Sequence, residues 1–461
     1  MSAEWQAVPL GSLVSVKGGK RLPKGDNLQV EPTPHPYIRV RDMGQRYLPD
    51  TGLEYVPIDV FPKIKRYIVE EKDVLISIVG TIGLVSVVDE RFHLASQTEN
   101  SAKLTGLDRI DALFLYYYLI SSVGQNHIKQ ATVGAVQAKL PLYNIEKIPV
   151  FWPERAERER TVEHLCPLDD KIELNRQINQ TLEQLAQTIF KSWFVDFEPV
   201  KAKIEAKAAG RDSERAAMCA ISGKLEPELD RLPPEQYQQL AATAALFPDA
   251  LVESELGLIP VGWEVKALPD VIEVNPKRSL KKGTIAPYLD MANVPTNSAR
   301  AADVTQREFS SGSKFMNGDT LLARITPCLE NGKTAYVDFL VENQVGWGST
   351  EFIVFRPNAP WPEELGYLLC RPPEFRAFAI SNMTGTSGRQ RVPNDCFANY
   401  KIAVSSRETG TAFGNIVRGV MAGIKKRDEE SRTLATLRDT LLPKLLSGEL
   451  VVESPRLEVT A

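Results

Sequence analysis

The apolar positions of this chain change their period at residue 154, and the whole pattern is then written a second time. Over residues 1–153, short β-branched runs such as Val74-Leu75-Ile76-Ser77-Ile78-Val79 and Leu84-Val85-Ser86-Val87-Val88 are bounded by Gly80, Gly83 and Asp89. That pattern suits buried strands joined by tight turns. Residues 113–121, with three tyrosines, predict a helix against the sheet, and Pro149 and Pro153 close the segment. Residues 154–165 then predict a short charged helix, with Pro167 in the first turn of a second one. Leu168, Ile172, Asn175, Asn179, Leu182, Ala186, Ile189 and Trp193 follow at alternating spacings of four and three, an unbroken heptad seam. This second helix of about 28 residues would be ~42 Å long at 1.5 Å per residue. The two asparagines in its seam fix register at a cost in stability.

The second writing is looser at first and then locks. Trp5 recurs as Trp263, Tyr37-Ile38-Arg39-Val40 as Tyr288-Leu289-Asp290-Met291, and Asp73-Val74-Leu75-Ile76 as Asp319-Thr320-Leu321-Leu322. From Pro141, matched by Pro393, the offset stays at 252 residues, pairing Ile172 with Ile424 and Leu182 with Leu434. A unit this long is a whole domain plus a helix, not a solenoid repeat of a few tens of residues. The C-terminal seam of Val420, Ile424, Leu434, Leu441 and Leu445 is more polar, with Arg427, Ser431 and Arg438 at equivalent places. Neither stripe is wide enough to hold a helix alone. The two helices are expected to pack on each other, antiparallel, because a complete domain intervenes; the alternative is that each docks on its own domain. The predicted class is α+β: two α/β domains separated by a pair of long antiparallel coiled-coil helices, a pseudo-two-fold internal repeat. The boundaries are 1–153 and 255–405 for the domains, 154–199 and 406–450 for the helical regions, 200–254 for a connector of short helices and loops, and 451–461 for a tail.

Composition narrows the function more by exclusion than by assertion. Apolar residues make up 43% and charged residues 25% of the 461, ordinary for a globular protein with real cores. A net charge of -4 argues against a non-specific polyanion binder but leaves room for a local basic face. No apolar run is long enough for a membrane span, and Met1-Ser2-Ala3-Glu4-Trp5 is no leader, so a cytoplasmic protein without membrane partners is expected. The five scattered cysteines read as reduced thiols, with neither a disulfide frame nor a zinc site. Gly332-Lys333-Thr334 is preceded by Pro327 where a phosphate loop needs its first glycine. No Gly-x-Ser-x-Gly elbow occurs. Asn275-Pro276-Lys277 lacks the Asn-Pro-Pro-aromatic run of amino-methyltransferases, and the four histidines are isolated. The chain is expected to have no catalytic residue, bind no metal and carry no cofactor of its own.

What remains is a set of basic, glycine-containing loops that recur. Lys17-Gly18-Gly19-Lys20-Arg21-Leu22-Pro23-Lys24-Gly25 corresponds to Asn275-Pro276-Lys277-Arg278-Ser279-Leu280-Lys281-Lys282-Gly283. Lys20, Arg21, Lys24, Lys277, Arg278, Lys281 and Lys282 could neutralise phosphates. One such loop alone reads as solvated surface; recurrence at the same place in both copies favours nucleic acid. Later in each copy, Thr132-Val133-Gly134-Ala135-Val136-Gln137-Ala138-Lys139-Leu140-Pro141 matches Thr386-Ser387-Gly388-Arg389-Gln390-Arg391-Val392-Pro393. Gln137, Lys139, Arg389, Gln390 and Arg391 are the donor types that read purines in the major groove. A third pair, Gly80-Thr81-Ile82-Gly83 and Arg324-Ile325-Thr326-Pro327, offers Thr81 and Arg324, though a plain tight turn explains it equally well.

At these residues the chain resembles the specificity subunits of type I restriction–modification enzymes. The likeness is carried by Leu168-Asp169-Asp170-Lys171-Ile172-Glu173-Leu174-Asn175-Arg176, by Phe190-Lys191-Ser192-Trp193-Phe194, by Glu255-Leu256-Gly257-Leu258-Ile259-Pro260-Val261-Gly262-Trp263, and by Leu441-Leu442-Pro443-Lys444-Leu445-Leu446-Ser447-Gly448-Glu449-Leu450. It spans nearly the whole chain. The resemblance implies that each α/β domain is a target-recognition domain reading one half of a bipartite, asymmetric site on double-stranded DNA. The helix pair would act as a ruler, packed through Leu168, Ile172, Asn175, Asn179, Leu182, Ile189, Trp193, Ile424, Leu434, Leu441 and Leu445. It further implies two adenine methyltransferase subunits and a motor-nuclease subunit as partners, with S-adenosylmethionine, ATP and Mg2+ on those partners. A modification-only or type II-like system, and a coiled-coil scaffold without DNA, stay open as alternatives.

Overall fold

A computed structural model describes residues 7–49, 52–134, 137–386 and 388–450. Trp5, the first-copy counterpart of Trp263, lies outside the described residues, as do Ala135, Val136 and Ser387 of the paired loops. The chain divides into two units: one runs to Leu174 and resumes at Glu430, the other is Asn175–Glu429. Two sheet-containing domains are joined along the chain by a long helix.

In the first unit a four-stranded sheet has the spatial order Ser15–Gly18, Ser101–Thr105, Val74–Ser77, Val85–Val87, all antiparallel. Val74–Ser77 is buried along its whole length, as its run of apolar residues Val74, Leu75 and Ile76 leads one to expect. A smaller sheet orders Glu54–Tyr55, Pro36–Ile38 and Ser96–Gln97, with the last two strands parallel. The edge pair Ala7–Pro9 and Pro149–Phe151 brings the ends of the domain together.

The second unit repeats this topology. Its main sheet runs Ile272–Val274, Phe352–Pro357, Thr320–Ala323, Thr334–Tyr336. Its smaller sheet again contains one parallel pair, Ile285–Leu289 with Gly346–Gly348, flanked by Thr305–Glu308 and Ser313–Phe315. Glu264–Ala267 pairs with Lys401–Val404 as the closing edge. Helices Arg109–Ile120 and Leu365–Cys370 are buried at equivalent places.

The helical regions differ from expectation in one respect. Residues 154–165 and the heptad stretch form a single helix, Arg155–Phe194, with Pro167 inside it. Glu163 and Pro167 both face solvent, so the carbonyl that loses its donor to the proline can be hydrated. At 40 residues this central helix runs ~60 Å, not ~42 Å. The C-terminal helix is Arg407–Leu446, also 40 residues. In the first unit Asp169 meets Arg438 and Lys171 meets Glu430, so one index falls as the other rises and the segments are antiparallel. In the second unit Asn179 reaches Ile424 and Phe190 reaches Phe413, in the same sense.

The seam is also longer than predicted. Asn175, Asn179, Trp193, Ile424 and Leu445 are buried, whereas Leu168, Ile172, Leu182, Ile189, Leu434 and Leu441 are half-buried. Val162 and Leu165 are buried in addition, because the helix continues through Pro167, and Asp169, Glu183 and Phe190 are buried beside the predicted seam. The connector carries helices Glu198–Ala208, Ser213–Ser222, Glu226–Leu229 and Pro234–Ala244, the last three around Ala217, Met218, Leu229 and Ala244. The boundary at 254/255 falls inside a hairpin, Leu251–Ser254 with Gly257–Pro260.

Candidate nucleic-acid interface

The second and third loop pairs, read separately from the sequence, are one feature in each domain. In the first domain Lys139 bridges both Val133 and Val79, and Leu140 N–H donates to the Ile78 carbonyl at 3.0 Å. In the second, Arg391 bridges both Thr384 and Ile325, and Val392 N–H donates to the Arg324 carbonyl at 2.9 Å. The late hairpin is thereby stitched to the turn that leaves the central strand, by the same bridges in both copies. Its tip tightens on a glycine with positive φ, Gly134 (+93°) or Gly385 (+121°). A Cβ on Gly134 would lie 2.7 Å from the Gln137 carbonyl, so only glycine fits. The tip spans residues 134–138 in the first domain and 385–390 in the second, one residue longer.

Gln137, Lys139, Arg389 and Arg391 are exposed on these tips, and Gln390 is half-buried. Arg391 is engaged: it grips Glu351 with two nitrogens at 2.6 and 2.8 Å. That guanidinium holds the Glu351 carboxyl below the usual carboxylate range. Thr81 is exposed, but its carbonyl accepts the Ser77 hydroxyl at 2.6 Å within a turn whose Gly80 and Gly83 both have positive φ. Arg324 is turned inward, donating to the Val392 carbonyl at 2.5 Å. These two belong to the scaffold of the turn.

The early basic loops are split in the same way. Lys20 and Lys24 are exposed, with the Lys20 ammonium 5.9 Å from the Tyr67 ring centre. Arg21 pairs with Glu99 at 2.6 Å. In the second domain Lys277, Lys281 and Lys282 are exposed, and Arg278 is half-buried. It donates to the Asp319 carboxylate at 3.0 Å, and Asp319 is fully buried. Burial pushes that carboxyl up, against the Met316 N–H and the Arg278 and Arg356 guanidiniums. Arg278 therefore anchors the loop to the start of a core strand.

Sequence reading passed over a second basic segment in each smaller lobe. Lys63, Lys65 and Arg66 are exposed on and just after the turn Phe61–Ile64. Lys63 reaches Asp26 at 2.9 Å, and Val60 and Ile64 pack with Leu22 and Leu28 of the early loop. Three cations in four residues were the available signal. In the second domain Arg307 lies over the Tyr288 ring at 4.3 Å, and Lys314 donates to the Arg278 carbonyl at 3.2 Å. Among the described residues no cluster of His, Cys, Asp and Glu could hold a metal ion, and no helix is long and apolar enough to cross a membrane.

Comparison with known proteins gives one answer. The family model for the type I restriction modification DNA specificity domain matches residues 2–184. The specificity subunit of the type I restriction enzyme HindI from Haemophilus influenzae is 29% identical over 356 residues, covering 73% of this chain and 77% of that protein. The MjaIX specificity subunit from Methanocaldococcus jannaschii is 21% identical over 419 residues, covering 89% and 83%. A solved type I restriction–modification S subunit from M. genitalium is 16% identical and covers 96% of both chains with a TM-score of 0.47.

Proposed function

We propose, since this chain belongs to the specificity subunits of type I restriction–modification enzymes, that it reads a bipartite, asymmetric DNA target and brings the modifying and cutting subunits to it. Each sheet domain reads one half-site. Within each domain the late hairpin presents donors to base edges, and the exposed lysines of the early loop take phosphates. Lys20, Lys24, Lys277, Lys281 and Lys282 are the phosphate contacts. Gln137, Lys139, Arg389, Gln390 and Arg391 face bases. The observation that carries this reading is the recurrence of one stitched hairpin, with the same bridges at Lys139 and Arg391, on two domains whose exposed tips differ. A shared frame with unlike tips suits two half-sites of unlike sequence.

The chain itself is non-catalytic in this reading and works in the cytoplasm. Two adenine methyltransferase subunits and a motor-nuclease subunit supply the chemistry, together with S-adenosylmethionine, ATP and Mg2+. The length of the helix pair sets the gap between half-sites. The test is adenine-methylation mapping by single-molecule sequencing in cells that express the methyltransferase partner with and without this chain. A two-part motif that vanishes with the chain is the expected result. An unchanged methylation map, with the partner expressed and active, overturns the reading and leaves a scaffold role.

A further inference from the structure

The two domains are each tied to the central helix by a buried tyrosine, and the tie is not a product of the duplication alone. Tyr117 and Tyr367 occupy matching positions in Leu115-Tyr116-Tyr117-Tyr118-Leu119-Ile120 and Leu365-Gly366-Tyr367-Leu368-Leu369-Cys370. Both rings are fully buried. In the first unit the Tyr117 hydroxyl donates to Asp169 Oδ2 at 2.9 Å, and Arg438 of the C-terminal helix donates to Asp169 Oδ1 at 2.7 Å. Arg46 closes the same cluster, reaching the Cys166 carbonyl at 3.1 Å and also Asp170. In the second unit the Tyr367 hydroxyl donates to Glu183, and Arg371 approaches the same carboxylate at 3.5 Å. Asp169 and Glu183 are both nearly inaccessible to solvent.

The repeat supplies the tyrosines but not the carboxylates. At the constant offset of 252, Asp169 corresponds to Met421 and Glu183 to Ala435. Both acids therefore sit on the central helix, and the C-terminal helix has apolar residues in their places. A buried carboxylate is costly unless fully paired and is poor evidence for stability. Its directional hydrogen bonds do fix orientation, which apolar packing alone leaves free to slide.

We propose that Asp169 and Glu183 are positioning residues for DNA reading, each keying one recognition domain to the central helix through Tyr117 or Tyr367, and that these keys set how strictly the gap between half-sites is enforced. The proposal rests on the DNA-reading function above. Moving a half-site by one base pair displaces it by about 3.4 Å and turns it by roughly 34°, as one helical turn of ~34–36 Å over 10–10.5 base pairs requires. A domain rejects that shift only if its mounting is stiffer than the shift is large.

The experiment uses the complete chain assembled with its methyltransferase subunits. The probes are DNA duplexes carrying the mapped half-sites at the native gap and at gaps one base pair longer or shorter. For wild type, the methylation rate strongly favours the native gap. Tyr117→Phe, Asp169→Asn, Tyr367→Phe and Glu183→Gln are each expected to lower the native-to-shifted rate ratio at least tenfold while leaving the letters of both half-sites unchanged. Should a Tyr→Phe variant fail to assemble, the Asn and Gln variants, which keep side-chain shape, decide. A lower melting temperature or a uniformly slower rate with an unchanged ratio overturns the proposal, because a purely structural role predicts that outcome. Absence of any two-part methylation with wild type would instead overturn the underlying DNA-reading function.

Discussion

Arg278 and the pair Lys281 and Lys282 lie in one loop yet should fail in different assays. The Asp319 carboxylate is fully buried and accepts from Met316 N–H at 2.7 Å, Arg278 at 3.0 Å and Arg356 at 3.3 Å. Removing one partner of a buried pair costs about 3–5 kcal/mol. Arg356 stays in place in Arg278→Ala, so the low end, about 3 kcal/mol, is expected. With a urea m-value of about 2–3 kcal/mol/M, the unfolding midpoint of the affected unit should fall by roughly 1 M. Lys281 and Lys282 are exposed, so Lys281→Ala/Lys282→Ala should leave that midpoint within about 0.5 kcal/mol of wild type. The double variant should instead lower the slope of log affinity against log salt by ~1.8, at ~0.9 per phosphate contact. Wild type would then lose ~12-fold more affinity than the variant over a fourfold rise in salt. Urea unfolding followed by tryptophan fluorescence, and DNA binding at several salt concentrations, read the two effects separately. An Arg278→Ala protein of wild-type stability with a reduced salt slope would refute the assignment of Arg278 to the scaffold. A double variant with an unaltered slope would refute the phosphate role of the lysines.

Two further outcomes follow from the same geometry. Burial pushes the Asp42 carboxyl from 3.8 up to about 6, against the nearby Arg41. The folded state thus favours the protonated form, and this contribution to stability is fully present below pH 3.8 and lost as the pH rises through about 6. Its size is about 3 kcal/mol. Asp42→Asn keeps an acceptor for the Arg39 N–H at 2.8 Å and should flatten the pH dependence of thermal unfolding across that window; an identical slope in the variant would count against it. Arg389→Ala and Lys139→Ala should each relax the methylated motif in one half-site only, by about 1–3 kcal/mol of discrimination at a single base; methylation maps with both halves altered by either variant would contradict the division of labour.

The repeat and the two sheet domains were legible because buried strands and seam residues leave a periodic trace in the sequence. Val74–Ser77 and Thr320–Ala323 are buried at every position, and both runs are apolar but for one small hydroxyl residue each, Ser77 and Thr320. The continuous central helix was not legible at Pro167, since proline reads as a helix start unless one knows that Glu163 and Pro167 face water. The roles of individual cations were the least legible. Arg278 is claimed by Asp319 at 41 residues' remove, Arg391 by Glu351 at 40 and Arg21 by Glu99 at 78. Nothing local marks those acids as partners. Local composition identified where the cations cluster, and only the fold separates those that anchor loops from those that face solvent.

That separation explains how two copies of one frame come to differ where it matters. Lys139 and Arg391 occupy the same bridged position, so the backbone there is held by hydrogen bonds that ignore side-chain identity. The residue facing that position is free to change. The second domain places Glu351 against Arg391, while in the first the equivalent residue, also just ahead of its strand, is Asn100, whose carbonyl accepts from Ile78 N–H as the Glu351 carbonyl accepts from Arg324 N–H. An arginine oriented by a carboxylate presents a fixed fork, suited to two acceptors on one base edge. A lysine presents a mobile point charge. The hairpin tip is one residue longer in the second domain as well. The buried residues that define the sheets constrain none of these differences, so the tips can diverge without cost to the core. Under the function proposed above, a duplicated domain that reads two unlike half-sites needs its variation confined to such places, and this is where the two copies part.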